Sequence, residues 1–177
     1  MAIKKTFQIG SKSIRSRARI VKNISSKKIQ RIILDLVDTM RHQNLVAMAA
    51  PQIGECERVF VSEIRKTAIR KNLQQDKLRI FINPRIKNHS KYQTNEYEGC
   101  GSVGLANLFG PVKRFKTVVV NAVDGHGRPF ELKTSGLLAR IIQHEIDHLN
   151  GIVFLDKVKD TRNLLDREEF IKLRGES

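Results

Sequence analysis

The chain has 177 residues, 40% hydrophobic and 29% charged, enough for one domain with an ample core. No apolar run approaches the roughly 20 residues of a membrane span, and the basic N-terminus lacks the apolar stretch of a secretory signal. The formal charge of +15 invites a nucleic-acid reading, but the basic residues are scattered, with no zinc-finger spacing, no aromatic–basic RNA motif and no Trp. That pattern argues against specific DNA binding and is met by a solvated basic surface.

In chain order, residues 25–43 predict an amphipathic helix capped by Ser25 or Ser26, with Ile29, Ile32, Ile33, Leu36, Val37 and Met40 as its apolar stripe. Residues 58–64, 78–83, 117–123 and 128–133 predict strands, the last two joined by the hairpin signal Asp124-Gly125-His126-Gly127. The polar stretch 66–77 reads as an exposed loop or short helix. A second helix starts at Thr134 or Ser135, carries Leu137, Leu138, Ile141, Ile142, Ile146 and Leu149, and stops at a left-handed Gly151. Residues 152–154 suit a strand and 162–173 a last helix. With no repeat or linker, residues 1–177 read as one α+β domain.

The second helix contains Gln143-His144-Glu145-Ile146-Asp147-His148. Histidines four apart lie one above the other on a helix, so both rings can meet one metal ion. Glu145 between them can handle the proton of a water at that ion. The alternative is two satisfied surface histidines. The apolar residues around most of the helix disfavour it, because buried imidazoles and carboxylates are costly without partners.

A catalytic site of this kind needs a third protein ligand. A histidine six residues after His148 is excluded, because Phe154 stands there. Glu168, twenty residues beyond His148 on the last predicted helix, fits a thermolysin-like peptidase. Cys100, between small residues in Glu98-Gly99-Cys100-Gly101-Ser102, is the other candidate. A Cys56–Cys100 disulfide would abolish that site; an unpaired Cys56 suits a reducing cytoplasm. His42, His89 and His126 read as solvated or turn residues. Asp147 is either a partner orienting a charged group or a solvated residue, and Arg140, one turn before His144, can pair with a carboxylate such as Glu98.

Three blocks resemble the peptide deformylase family: Leu45-Val46-Ala47-Met48-Ala49-Ala50-Pro51-Gln52-Ile53-Gly54, Glu98-Gly99-Cys100-Gly101-Ser102, and Gln143 through His148 with Leu149-Asn150-Gly151. Weaker echoes cover about nine tenths of the chain in the same order. The resemblance implies antiparallel sheets packed around the metal helix. It implies Cys100, His144 and His148 as ligands of one divalent ion, ferrous iron in the family with zinc, nickel or cobalt accepted. It implies Glu145 as base, and the Gln52 amide and Gly101 N–H as oxyanion donors. The implied reaction is cytoplasmic removal of the formyl group from formyl-methionine of nascent proteins, releasing formate. The basic surface then permits weak electrostatic contact with the ribosome. The departures fall on the substrate cleft. The family has glycine where Leu45 and Ala47 stand, leucine at Gly101, commonly proline at Gly104, and in many members an arginine near Phe109. Leu45 and Ala47 are therefore expected to crowd the peptide and weaken its binding. An alternative is a deformylase-like binder that has lost catalysis.

Overall fold

The computed structural model describes residues 2–66 and 74–175. A short helix α1, Lys12–Arg15, precedes α2, Lys27–His42. Ser26 caps α2 by accepting the Ile29 N–H at 3.4 Å. The predicted apolar stripe of α2 is buried throughout. At about 1.5–3 kcal/mol per fully buried large apolar side chain, this stripe seats the helix.

The strands are β1 (Ala47–Ala49), β2 (Val59–Ile64), β3 (Asp76–His89), β4 (Gln93–Gly99), β5 (Leu108–Phe115), β6 (Thr117–Val123), β7 (Pro129–Ser135) and β8 (Leu165–Asp166). They form two antiparallel sheets, β1-β2-β3-β6-β7 and β4-β5-β8. The helix α3, Gly136–Leu149, carries the two histidines and lies between the sheets. Its apolar face, Ala139, Ile142, Ile146 and Leu149, packs on Phe60, Phe81, Val118 and Val120 of the larger sheet. The polar face meets β4 and β5. Ser135 occupies the N-cap position, but its hydroxyl makes no capping bond. Gly151 is left-handed at φ +77°, and a Cβ there would lie 2.5 Å from the Arg15 carbonyl oxygen, so only glycine closes this end.

Three expectations change. Residues 152–154 form no strand; a 3-10 turn, Phe154–Lys157, follows instead, because Asp156 accepts the Val153 N–H at 2.9 Å and bends the chain. The last helix, α4, spans Arg167–Leu173 and starts at its Asp166 cap, five residues later than expected. β3 runs from Asp76 to His89, longer at both ends than the predicted strand. Of the predicted loop 66–77, residues 67–73 lie outside the described residues.

Candidate metal centre

α3 presents His144 and His148 one turn apart, and the turn after β4 brings Cys100 to them. The ligand atoms of these three residues lie within 4.8 Å of one another. Cys100 Sγ is 3.0 Å from His148 Nε2. His144 Nδ1 lies 2.9 Å from Glu98 Oε2, which leaves its Nε2 for an ion. Both cysteines are free thiols, so no Cys56–Cys100 disulfide competes. Glu168 is exposed on α4 and is not among the clustered ligands, which removes the thermolysin-like arrangement.

The donor set fits a divalent ion. Burial pushes the Cys100 thiol up, but the imidazoles of His148 and His144 outweigh it and bring the thiol down to about 5. The sulfur is then a thiolate, the form that ligates metal. Burial, helped by the negative charges of Cys100 and Glu98, lifts Glu145 to about 7 against the pull of both imidazoles. Its Oε2 is buried and has no protein partner. A buried carboxylate oxygen of that kind is poised to exchange a proton near neutrality.

Glu98 organises the surroundings. It accepts two bonds from Arg114 at 2.9 Å and one from Arg140 at 2.7 Å. Burial opposes its ionisation, but Arg114 and His144 hold it well below the usual carboxylate range. Asp147 pairs with Arg114 and, at 3.4 Å, with Lys157, so it is a charge partner and not a solvated helix residue. The anticipated Arg140–Glu98 pair is present. Arg114 went unnoticed in the sequence, although it alternates with Gly110 and Val112 on the buried side of β5. Gln143 clamps α3 to β5: its amide donates to the Phe115 carbonyl at 2.9 Å and accepts the Phe115 N–H at 3.0 Å.

Gln52 sits in the 3-10 turn Ala50–Ile53 that follows β1. Its Oε1 accepts the Ala49 N–H at 2.7 Å, which turns Nε2 toward Cys100 Sγ at 3.7 Å and Ser102 Oγ at 3.3 Å. It is fully buried, not a surface amide. The Gly101 carbonyl is held by Gln8 Nε2 at 2.8 Å.

The altered cleft residues have local partners. A Cβ on Gly101 would lie 3.0 Å from Leu45 Cδ1, so Leu45 fills the space over that glycine. Ala47 is buried with Ile64 and Ile141. Phe109 lies against Gly99, where a Cβ would come within 2.6 Å of its ring, and stacks on Phe170 of α4 at 4.2 Å. Phe109 therefore anchors α4. Leu45 and Ala47 are packed into the protein, which weakens the expectation that they crowd a bound peptide.

Residues 3–164 match the family model described as polypeptide deformylase. The chain is 35% identical to a peptide deformylase of Pelotomaculum thermopropionicum over 96% of this chain and 100% of that protein. It is 37% identical to peptide deformylase 1 of Clostridium perfringens over 88% and 98%. The Met-Ala-Ser-bound crystal structure of the class I type b peptide deformylase from Acinetobacter baumannii superposes with a TM-score of 0.83 at 28% identity, covering 89% of this chain and 99% of that one.

Proposed function

The chain belongs to the polypeptide deformylase family, and on that premise we propose that Cys100, His144 and His148 hold one divalent ion and that Glu145 handles the proton in hydrolysis of the formyl amide of N-terminal formyl-methionine. The observation that carries this reading is the convergence of one thiolate and two imidazoles beside an unpartnered buried carboxylate oxygen. Thiolate with imidazole suits ferrous iron, and also zinc, nickel or cobalt; ferrous iron is our assignment. When bound, the ion supplies Lewis-acid polarisation and a water whose pKa falls toward about 7.

The residues of the chain do the rest. Glu145 accepts the proton of the attacking water and passes it to the leaving amine. As the carbonyl oxygen gains charge, the Gln52 amide and the Gly101 N–H donate to it; one such donor is worth roughly 2.7–4 kcal/mol in the transition state. Glu98 fixes the ring of His144, and Arg114 and Arg140 fix Glu98. β1 is an edge strand leading into Gln52, so an extended peptide can add to it by backbone pairing. Residues 1–177 act as one catalytic domain. No helix among the described residues is long and apolar enough to cross a membrane. We place the reaction in the cytoplasm, where Cys100 stays reduced, on nascent chains. The +15 charge suits weak contact with the ribosome.

The test is formate release from a formyl-Met peptide by anaerobically prepared protein, together with metal analysis. Glu145→Gln should keep its metal and lose roughly 10²–10⁴-fold in turnover. Cys100→Ala should lose most of its metal and Glu168→Ala should not. Near-normal turnover in the first variant, or full metal in the second, would sink the assignment. Absence of formate release with any metal would favour the non-catalytic binder.

A further inference from the structure

A second cleft, of about 550 Å³, opens near the far end of α3 and is lined by Arg17, Ile20, Arg58, Arg85, Ile146 and Asn150, among others. Its walls are fixed by backbone bonds. Ala18 N–H donates to the Leu149 carbonyl at 2.9 Å, Arg19 N–H to Cys56 at 2.7 Å, and Arg58 N–H to Arg19 at 2.8 Å. Arg58 is buried. Its guanidinium donates only to neutral acceptors: the Pro84 and Leu149 carbonyls and Asn150 Oδ1. Nη2 has a single protein acceptor, so one of its two N–H groups remains uncommitted.

Part of this has a structural explanation. The negative end of the α3 dipole faces Arg58, which donates to the last carbonyl of the helix, that of Leu149. That partial charge does not explain Arg17 and Arg85. Both are exposed beside Arg58, neither pairs with a carboxylate among the described residues, and no acidic residue lines the cleft. Glu57, close by in sequence, is committed to Arg19 at 3.1 Å and Lys28 at 2.7 Å. Burial, then the like charges of Arg17 and Arg85, pulls Arg58 below the usual guanidinium value. Three guanidiniums are thus assembled without a counter-charge among the described residues.

We infer that this cleft binds the phosphate group of a phosphate ester. Arg17 and Arg85 grip the anion with forked N–H donors, Arg58 sits behind them, and Ile20, Ile86 and Ile146 receive the organic portion. A phosphate group is favoured over a single carboxylate because it offers enough oxygens and charge for several guanidiniums at once. The ester is either a free small molecule or a backbone phosphodiester of RNA. The inference is independent of the deformylation reading, because none of its residues is assigned to that reaction.

The test is calorimetric titration of the full chain at low ionic strength with inorganic phosphate, adenosine monophosphate and a short single-stranded RNA. Arg17→Gln with Arg85→Gln should weaken binding ~10-fold or more. Lys113→Gln with Lys133→Gln removes the same charge from exposed sites off the cleft and should weaken binding about twofold or less. The far-UV circular dichroism spectrum should be unchanged in both, which certifies their fold. Monophosphate binding that depends on the arginine pair, without RNA binding, identifies a free ester. RNA binding well above that of the monophosphate, with the same dependence, identifies a backbone phosphate. Equal weakening by both charge pairs, or no saturable binding of any probe, overturns the inference.

Discussion

α3 lies between two charged regions that treat their charge in opposite ways. On the side of the metal ligands, Glu98 and Asp147 are matched by Arg114 and Arg140, and within this network each charged group is bonded to another. At the far end, Arg17, Arg58 and Arg85 share a cleft without a carboxylate. Burying a charge is costly unless it is paired. The first region is therefore closed: its charges fix one another and, through Glu98, fix His144. The second is open, and its missing counter-charge must come from solvent or a ligand. Removing a charge should thus have opposite consequences in the two regions.

The largest effect is expected in the closed region. Glu98→Gln leaves Arg114 and Arg140 buried with their carboxylate gone, and breaking a buried pair typically costs about 3–5 kcal/mol. Chemical denaturation should show a loss of that order, and metal affinity should fall roughly 10–100-fold as His144 loses its orienting partner. The pH dependence has a definite sign. The folded value of Glu98 is depressed, so its contribution is complete above about pH 4.5 and lost as pH falls through the folded value. Wild type and variant should converge in acid. A cost under about 1 kcal/mol at neutral pH would show that the two regions do not differ as described.

The two regions also differ in how readable they are in the sequence. His144, Glu145 and His148 are legible because a four-residue spacing on an apolar helix has one geometric consequence. α2 is legible for the same reason. Cys100 and Gln52 are not; their roles depend on contacts across 48 and 50 residues, and only the family blocks point to them. β4, Gln93–Gly99, shows no apolar alternation because its sequence is almost wholly polar and Glu98 is its buried inward residue. β5 is masked by Gly110-Pro111 and by an arginine at an inward position. The buried ion network thus hides the very strands that build it. The arginine cleft is dispersed over residues 17, 58 and 85, and no local pattern could have assembled it.

An intermediate effect is expected where Leu45 meets Gly101. The Leu45 side chain covers the glycine whose N–H is proposed to face the oxyanion, so the pair should behave as one packed unit. Leu45→Gly should lower stability by about 1–3 kcal/mol, because it leaves a void, and lower kcat/KM by loosening the Gly101 backbone. Gly101→Leu alone should clash with Leu45. The double exchange, Leu45→Gly with Gly101→Leu, should recover much of both losses, with a coupling energy of roughly 0.5–3 kcal/mol. A gain in kcat/KM from Leu45→Gly alone would instead mean that Leu45 obstructs the peptide. Additive losses would show that the two positions do not share space.

The smallest effect has the opposite sign. Arg17→Gln with Arg85→Gln removes two charges that repel Arg58 and relieves strain that the chain itself does not compensate. The midpoint of thermal unfolding should therefore rise, by about 1–3 °C at low ionic strength. The gain should shrink as salt is added, because Arg17 and Arg85 are exposed and their repulsion is screened beyond about 10 Å at 0.1 M. Phosphate should act differently on the two proteins. A ligand that binds only the folded state stabilises it by mass action, so wild type should gain from adenosine monophosphate and the variant should not. Sodium chloride at matched ionic strength separates occupation of the cleft from screening, since screening alone would stabilise wild type equally with either salt. A fall in the midpoint on removing the two arginines would mean that they serve the fold through contacts of their own, and the open region would then be closed after all.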